Sequence, residues 1–199
     1  MVSGVVALTA KKSKGAHPTA GRVFAVSLAL VYAAILINIV VQKNVFMLGI
    51  GWLAVYAGAQ GWRALLRCKG TLAPSPVLFD YSLAGATALL SLGLLAFGLR
   101  VFLSSSNAMG LVCAGFGLLG GALLRGEWQR WKTPLSKQQW MALHVDMMTG
   151  AFSAALTAFL AIQLSGHLGG FEWLVWVAPV LLMSRYAAYE KKRRKLSDA

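Results

Sequence analysis

The chain has 199 residues, of which 58% are hydrophobic and only 13% are charged, and its mean hydropathy is +0.65. Soluble domains usually contain about 25% charged residues, so this composition excludes an ordinary water-soluble domain and indicates a protein surrounded mostly by lipid. The formal net charge of +13 does not indicate nucleic-acid binding, because the cations lie in the gaps between long apolar runs and form no basic face.

Six stretches are long and apolar enough to cross the hydrocarbon core of a membrane as helices, which takes about 20 residues. In chain order they are residues 23–42, 45–62, 79–103, 108–124, 141–164 and 171–189. The sixth contains Pro179, which should kink it. Turn-forming sequences rich in Pro, Ser, Asn and Gly separate several of them. The sequence therefore predicts an all-α, polytopic membrane helix bundle with about six transmembrane helices.

The distribution of Lys and Arg predicts the orientation. If the N-terminus is cytoplasmic, seventeen of the nineteen Lys and Arg residues fall on the cytoplasmic side, and only Lys43 and Arg100 fall outside. Both termini are then cytoplasmic and the protein lies in the cell (inner) membrane. Residues 1–21 form a cytoplasmic segment, residues 22–189 the six-helix bundle and residues 190–199 a basic cytoplasmic tail.

Small residues predict how two of these helices pack. Gly117 and Gly121 have GxxxG spacing on the fourth predicted span, and Gly150, Ala154 and Ala158 follow at four-residue steps on the fifth. Small residues let helix backbones approach closely in a membrane. We expect the fourth and fifth spans to cross at these residues.

Polar residues within the predicted spans are few, and such residues are functional candidates. The polar set includes Asn38, Asp80 and Asp146, and no Lys or Arg at membrane depth is expected to pair with Asp146. His144 and Met148 share a helix face, and an imidazole with a thioether could bind haem iron or copper. His17 is expected on the same cytoplasmic side, so a shared site is possible. The alternative is that His144 only makes a structural hydrogen bond.

Two further segments are KGxHxxxGRxF at residues 14–24 and HxxxMxGxxxxAxTAFL at residues 144–160. Together with the spacing of the spans between them, they resemble a family of bacterial predicted multi-pass membrane proteins of unknown function, over about residues 3–185. Members often begin with an additional apolar helix, of which residues 3–10 look like the end. The resemblance implies no particular activity, but it suggests His17 and His144 as the first residues to test.

The sequence thus favours an integral membrane protein that acts as a binding or scaffold component with no assignable reaction. A haem- or metal-binding redox subunit that uses His144 with His17 or Met148 is an alternative, and a small-solute transporter is another. The HExxH, P-loop, GxSxG and CxxC motifs are absent from the sequence. The expected partners are the lipid bilayer and either a membrane-protein partner or a second copy of the chain, but no nucleic acid.

Overall fold

The computed structural model of the chain describes residues 1–10, 15–42, 45–133, 135–164, 167–169, 171 and 173–196. Side chains of residues 38–45 are not part of this description, so the predicted role of Asn38 lies outside the described residues. The described part of the chain is all-helical. Its seven helices are α1 (Val2–Thr9), α2 (Ala16–Gln42), α3 (Val45–Cys68), α4 (Leu78–Ser105), α5 (Ala108–Lys132), α6 (Lys137–Leu164) and α7 (Trp173–Arg193).

Four of these helices contain segments that are long and apolar enough to cross a membrane. This confirms the prediction of an all-helical chain with membrane-spanning helices. Within the described residues they are Ala16–Ile37, Leu78–Ser105, Ala108–Lys132 and Lys137–Leu164. The remaining two predicted spans correspond to α3 and α7. Helix α3 lies at the centre of the bundle, where it contacts α2, α4, α5 and α6. A helix enclosed in this way presents little surface to lipid and can carry more polar residues.

The described contacts bring the ends of α3 and α7 to the beginnings of α4 and α6. The Cys68 thiol at the end of α3 donates to the backbone carbonyl of Lys137 at 3.4 Å. At the start of α4, Asp80 lies 2.6 Å from Arg63 near the end of α3. Neighbouring helices therefore run in opposite directions, and their charged ends gather at one end of the bundle.

Helix α5 packs closely against α4. A Cβ atom on Gly98 of α4 would lie only 2.4 Å from the Ala114 backbone nitrogen, and one on Gly117 of α5 would lie 2.7 Å from the Leu95 nitrogen. The two helices are joined by only Ser106 and Asn107, so they form an antiparallel hairpin. Glycine is required at this interface because the two backbones are almost in contact.

The predicted crossing of α5 with α6 is therefore wrong, because the glycine face of α5 is already covered by α4. Helix α6 packs against α3 and α7 instead. A Cβ atom on Gly121 or on Gly150 would have no neighbour within 4 Å. Ala154 and Ala158 of α6 line an apolar cavity, which is described below.

The N-terminal segment forms part of the bundle. Helix α1 packs against α2, and Gly4 is buried with the Phe152 ring of α6 next to it. The Tyr186 hydroxyl of α7 donates to the Leu8 carbonyl at 2.7 Å. Helix α1 is thereby held at the end of the bundle where α2 and α6 begin.

Candidate ligand cavity

A cavity of about 460 Å³ lies where α2 and α6 begin and α3 and α7 end, with α1 across it. We call it the histidine cavity. His17, His144 and Met148, the three residues that the sequence singles out as a possible cofactor site, all line it. The volume falls within the range of about 300–1,000 Å³ that is usual for small-molecule sites. The fold thus gathers the three predicted residues around one space.

A hydrogen bond to the backbone of α3 orients His144. Its Nδ1 lies 2.7 Å from the carbonyl oxygen of Gly61. A carbonyl can only accept, so Nδ1 carries the hydrogen and donates it, and the lone pair of the neutral ring is on Nε2. Histidines that bind metals are usually oriented in this way, by donating from the other ring nitrogen to a carbonyl or carboxylate.

His17 is held in a corresponding way by α1. It lies in the first turn of α2, and its Nδ1 donates to the Ala7 carbonyl at 2.7 Å. The same reasoning places the lone pair of its neutral ring on Nε2. Helix α1 therefore has a defined role in the site, since it fixes the orientation of one of the two imidazoles.

Met148 lies one helical turn after His144 and packs against α3. A Cβ atom on Gly61 would lie 2.9 Å from both Cγ and Sδ of Met148, so a side chain at this position would displace Met148. Because His144 and Met148 belong to the same face of one helix, both approach the cavity from the same wall. His17 approaches it from a different helix.

Cations, apolar side chains and the buried carboxylate of Glu190 also line the cavity. Arg22, Lys69 and Arg194 line it, and Arg194 also donates to Glu190 at 3.0 Å. The apolar part of the wall consists of Phe24, Trp62, Leu65, Leu66, Met141 and Phe152, among others. Such a combination suits a ligand with an apolar body and acidic groups, which the cations can bind.

Within the described residues, no three His, Cys, Asp or Glu side chains are placed together in a way that could hold a metal ion. A bare transition metal usually needs several such ligands from the protein. Haem iron differs, because the porphyrin supplies the ligands in its plane and the protein supplies only the axial ones. The histidine cavity therefore suits haem better than it suits a bare metal ion.

The two predicted intramembrane carboxylates have different environments. Asp80 is fully buried, where its carboxylate accepts from Arg63 and Arg67 and from the backbone nitrogen of Val77 at the start of α4. The carboxylate of Asp146 lies 2.9 Å from the Lys191 ammonium, and both side chains are partly exposed. The expectation that Asp146 would lack a cationic partner is wrong, because α7 continues into the basic tail and brings Lys191 to α6.

A buried polar cluster around Glu127 was not predicted. Glu127 is 2% exposed, and its carboxylate accepts hydrogen bonds from the Tyr56 hydroxyl and the Gln60 amide of α3. The predicted fourth span ended before Arg125, whereas α5 continues for about two more turns. The spacing of Glu127 from Gly117 and Gly120 places it on the same buried face of α5, a signal that could have identified it.

The histidine cavity thus offers two oriented imidazoles, several cations and an apolar wall to a ligand.

When the chain is compared with models of protein families, with curated proteins and with solved structures, none of them matches it.

Proposed function

We propose that this chain is an integral membrane protein that binds haem in the histidine cavity, with His144 as one axial ligand of the iron and His17 as the other. It would act as a cofactor-carrying component and not as an enzyme with its own substrate. The observation that carries the proposal is that α2 and α6 each contribute an imidazole to one cavity, and that each imidazole donates from Nδ1 to a backbone carbonyl.

The shape and charge of the cavity support this choice of ligand. Haem is a flat apolar ring with two acidic groups, and the cavity combines an apolar wall with Arg22 and Lys69. His17 is a better second ligand than Met148, because axial ligands approach the iron from opposite faces of the ring. His144 and Met148 come from one helix face. The haem would be held without covalent attachment, since the sequence has no CxxCH motif.

The proposed placement is in the inner membrane, with six spans and both termini in the cytoplasm. Four described segments have the length and hydropathy of membrane spans, and α3 and α7 complete an alternating set. The asymmetry of Lys and Arg supports a cytoplasmic location for the end of the bundle that holds the histidine cavity. Haem would then lie near the cytoplasmic surface of the membrane.

Titration of the purified apoprotein with hemin in lipid nanodiscs tests the proposal. We expect wild type to bind hemin and produce a shifted Soret band, and His144→Ala to bind hemin at least about tenfold more weakly. Removing a residue that only hydrogen-bonds to a metal ligand already lowers affinity about 10- to 100-fold, and removing the ligand itself should lower it at least as much. His167→Ala and Met148→Leu are matched controls that should bind as wild type does. His167 follows α6 and does not line the cavity.

Absence of hemin binding by wild type would contradict the proposal. Equal affinities of wild type and His144→Ala would also contradict it, because hemin would then be adsorbing elsewhere in the nanodisc. Loss of binding in His167→Ala would place the iron ligand outside the histidine cavity.

A further inference from the structure

A second cavity, of about 250 Å³, lies between α2, α3 and α6. We call it the apolar cavity, because most of its lining is hydrocarbon; the polar exceptions are the Ser27 and Tyr32 hydroxyls, and Met1 with its amino group also lines it. Small residues create the space. Gly51 of α3 and Ala154, Ala155 and Ala158 of α6 occupy positions where larger side chains would fill it.

The Phe24 ring separates the two cavities and lines both of them. It packs against Phe152 of α6, with 6.0 Å between the ring centroids. Elsewhere α2 packs mainly against α1 and α3, so that it faces α6 across the two cavities. The two cavities therefore form one cleft along α2, with a cationic part and an apolar part.

The apolar cavity opens sideways onto the outer surface of the bundle. Val31, Phe159 and Ile162 line it and are also 57%, 48% and 67% exposed. Its floor is closed, since Ile50 and Ala54 of α3 are only 1% and 4% exposed. The opening lies between α2 and α6, two helices that are long and apolar enough to span a membrane.

We propose that the apolar cavity binds one acyl chain of a bilayer phospholipid, which enters between α2 and α6 and reaches Ile50. The proposal rests on the membrane placement proposed above but is independent of haem. At the depth of these helices, the molecules that meet the opening are lipid chains. A lining that is mostly hydrocarbon favours an acyl chain over water, and an empty cavity would lose the dispersion contacts that a chain provides.

Bound lipid also explains why α6 has small residues along the wall of the cleft. Ala154 and Ala158 form a wall of the cleft, so the chain occupies the space that a neighbouring helix would otherwise take. The chain would contact α2 on one side and α6 on the other. It would therefore fill the gap between two helices that share few direct contacts.

Photolabelling in proteoliposomes tests this inference. The probe is a phosphatidylcholine with a diazirine near the end of one acyl chain, and the labelled positions are identified by peptide mass spectrometry. We expect the probe to label Ile50 although this residue is buried, and to label Leu89, which is 74% exposed on α4. Leu143 is also buried, at 3%, but lies outside the apolar cavity and should remain unlabelled.

Ala158→Phe should fill the cavity and reduce labelling of Ile50 to the level of Leu143, whereas the control Leu92→Phe on the exposed face of α4 should not. Circular dichroism and thermal unfolding of Ala158→Phe in detergent report whether the variant is folded. Labelling of Leu89 without Ile50 in wild type would overturn the acyl-chain proposal alone, and that result does not require any variant to fold. Absence of label at Leu89 would overturn it together with the membrane placement. Labelling of Ile50 by an isoprenoid probe but not by the phospholipid would overturn the assigned source of the chain.

Discussion

At the scale of single residues, the surroundings of a carboxylate determine what it contributes. Asp80 is inaccessible to solvent, binds two guanidinium groups and also caps the first turn of α4. The carboxylate of Asp146 pairs with the Lys191 ammonium, and its side chain is 36% exposed. Buried ion pairs lose much more than exposed pairs when one partner is removed, because the other charge is left without compensation in a poorly solvated site.

We therefore expect Asp80→Asn to lower the free energy of unfolding by about 3 kcal/mol, the lower end of the range for a broken buried pair. Asp146→Asn, the matched control, should lower it by less than about 1 kcal/mol, because its pair is partly exposed. Denaturant unfolding in detergent micelles, followed by tryptophan fluorescence, measures both changes. Equal losses in the two variants would show that burial of the Asp80 pair does not matter for stability.

Sequence reasoning identified His17, His144 and Met148 because polar or metal-binding side chains are rare near membrane helices. It could not identify Gly61, whose contribution is a carbonyl that accepts from His144 and a missing side chain that leaves room for Met148. Neither contribution depends on the chemistry of a side chain. The ion pair of Asp80 with Arg63 could have been predicted, since both residues were expected on the same side of the membrane.

At the scale of helices, only one glycine of the predicted GxxxG pair lies at a close contact. Gly117 packs against α4 and not against the predicted partner, whereas a Cβ atom on Gly121 would have no neighbour within 4 Å. A face of small residues predicts a close helix contact but does not identify the helix that makes it. The connection supplied the missing information, because a link of two residues requires α4 and α5 to be antiparallel neighbours. Gly98 was overlooked, although its Cβ position is the most crowded of those on α4.

Gly98→Ala should destabilise the protein by about 1–3 kcal/mol, because the new methyl group would meet the backbone of α5 at Gly110 and Ala114 and force the helices apart. Gly93→Ala is the matched control on the same helix, where a Cβ atom has no neighbour within 4 Å. The control should be neutral or stabilising by up to about 1 kcal/mol, since alanine favours helix. Thermal unfolding in detergent checks both, and a Gly98→Ala variant as stable as Gly93→Ala would contradict the described interface.

At the scale of the whole molecule, the charges at one end of the bundle come from segments far apart in sequence. Lys191, Arg63, Lys69 and Arg194 all make contacts at the end where α2, α4 and α6 begin. The periodic occurrence of basic connectors made this arrangement predictable. The cavities were not predictable, because a void depends on how helices that are distant in sequence fit together.

The proposed topology predicts a specific pattern for reporter fusions. Alkaline phosphatase should be active when fused at residues 43–44, 104–107 or 165–170, because these connectors are expected outside the cytoplasm. Fusions at residues 70–76 or 133–136, or at the C-terminus, should be inactive. The account would be wrong if fusions at residues 43–44 and at the end of α5 reported the same compartment.

The central claim is that imidazoles from α2 and α6 meet a ligand in one cavity, and low-temperature electron paramagnetic resonance of the hemin-loaded ferric protein tests it most directly. Two axial histidines should give a low-spin signal in wild type. In His17→Ala, where one of the two would be lost, the signal should become high-spin, while Met148→Leu should retain the wild-type spectrum. An unchanged low-spin spectrum in His17→Ala would show that His17 does not bind the iron and would contradict the claim.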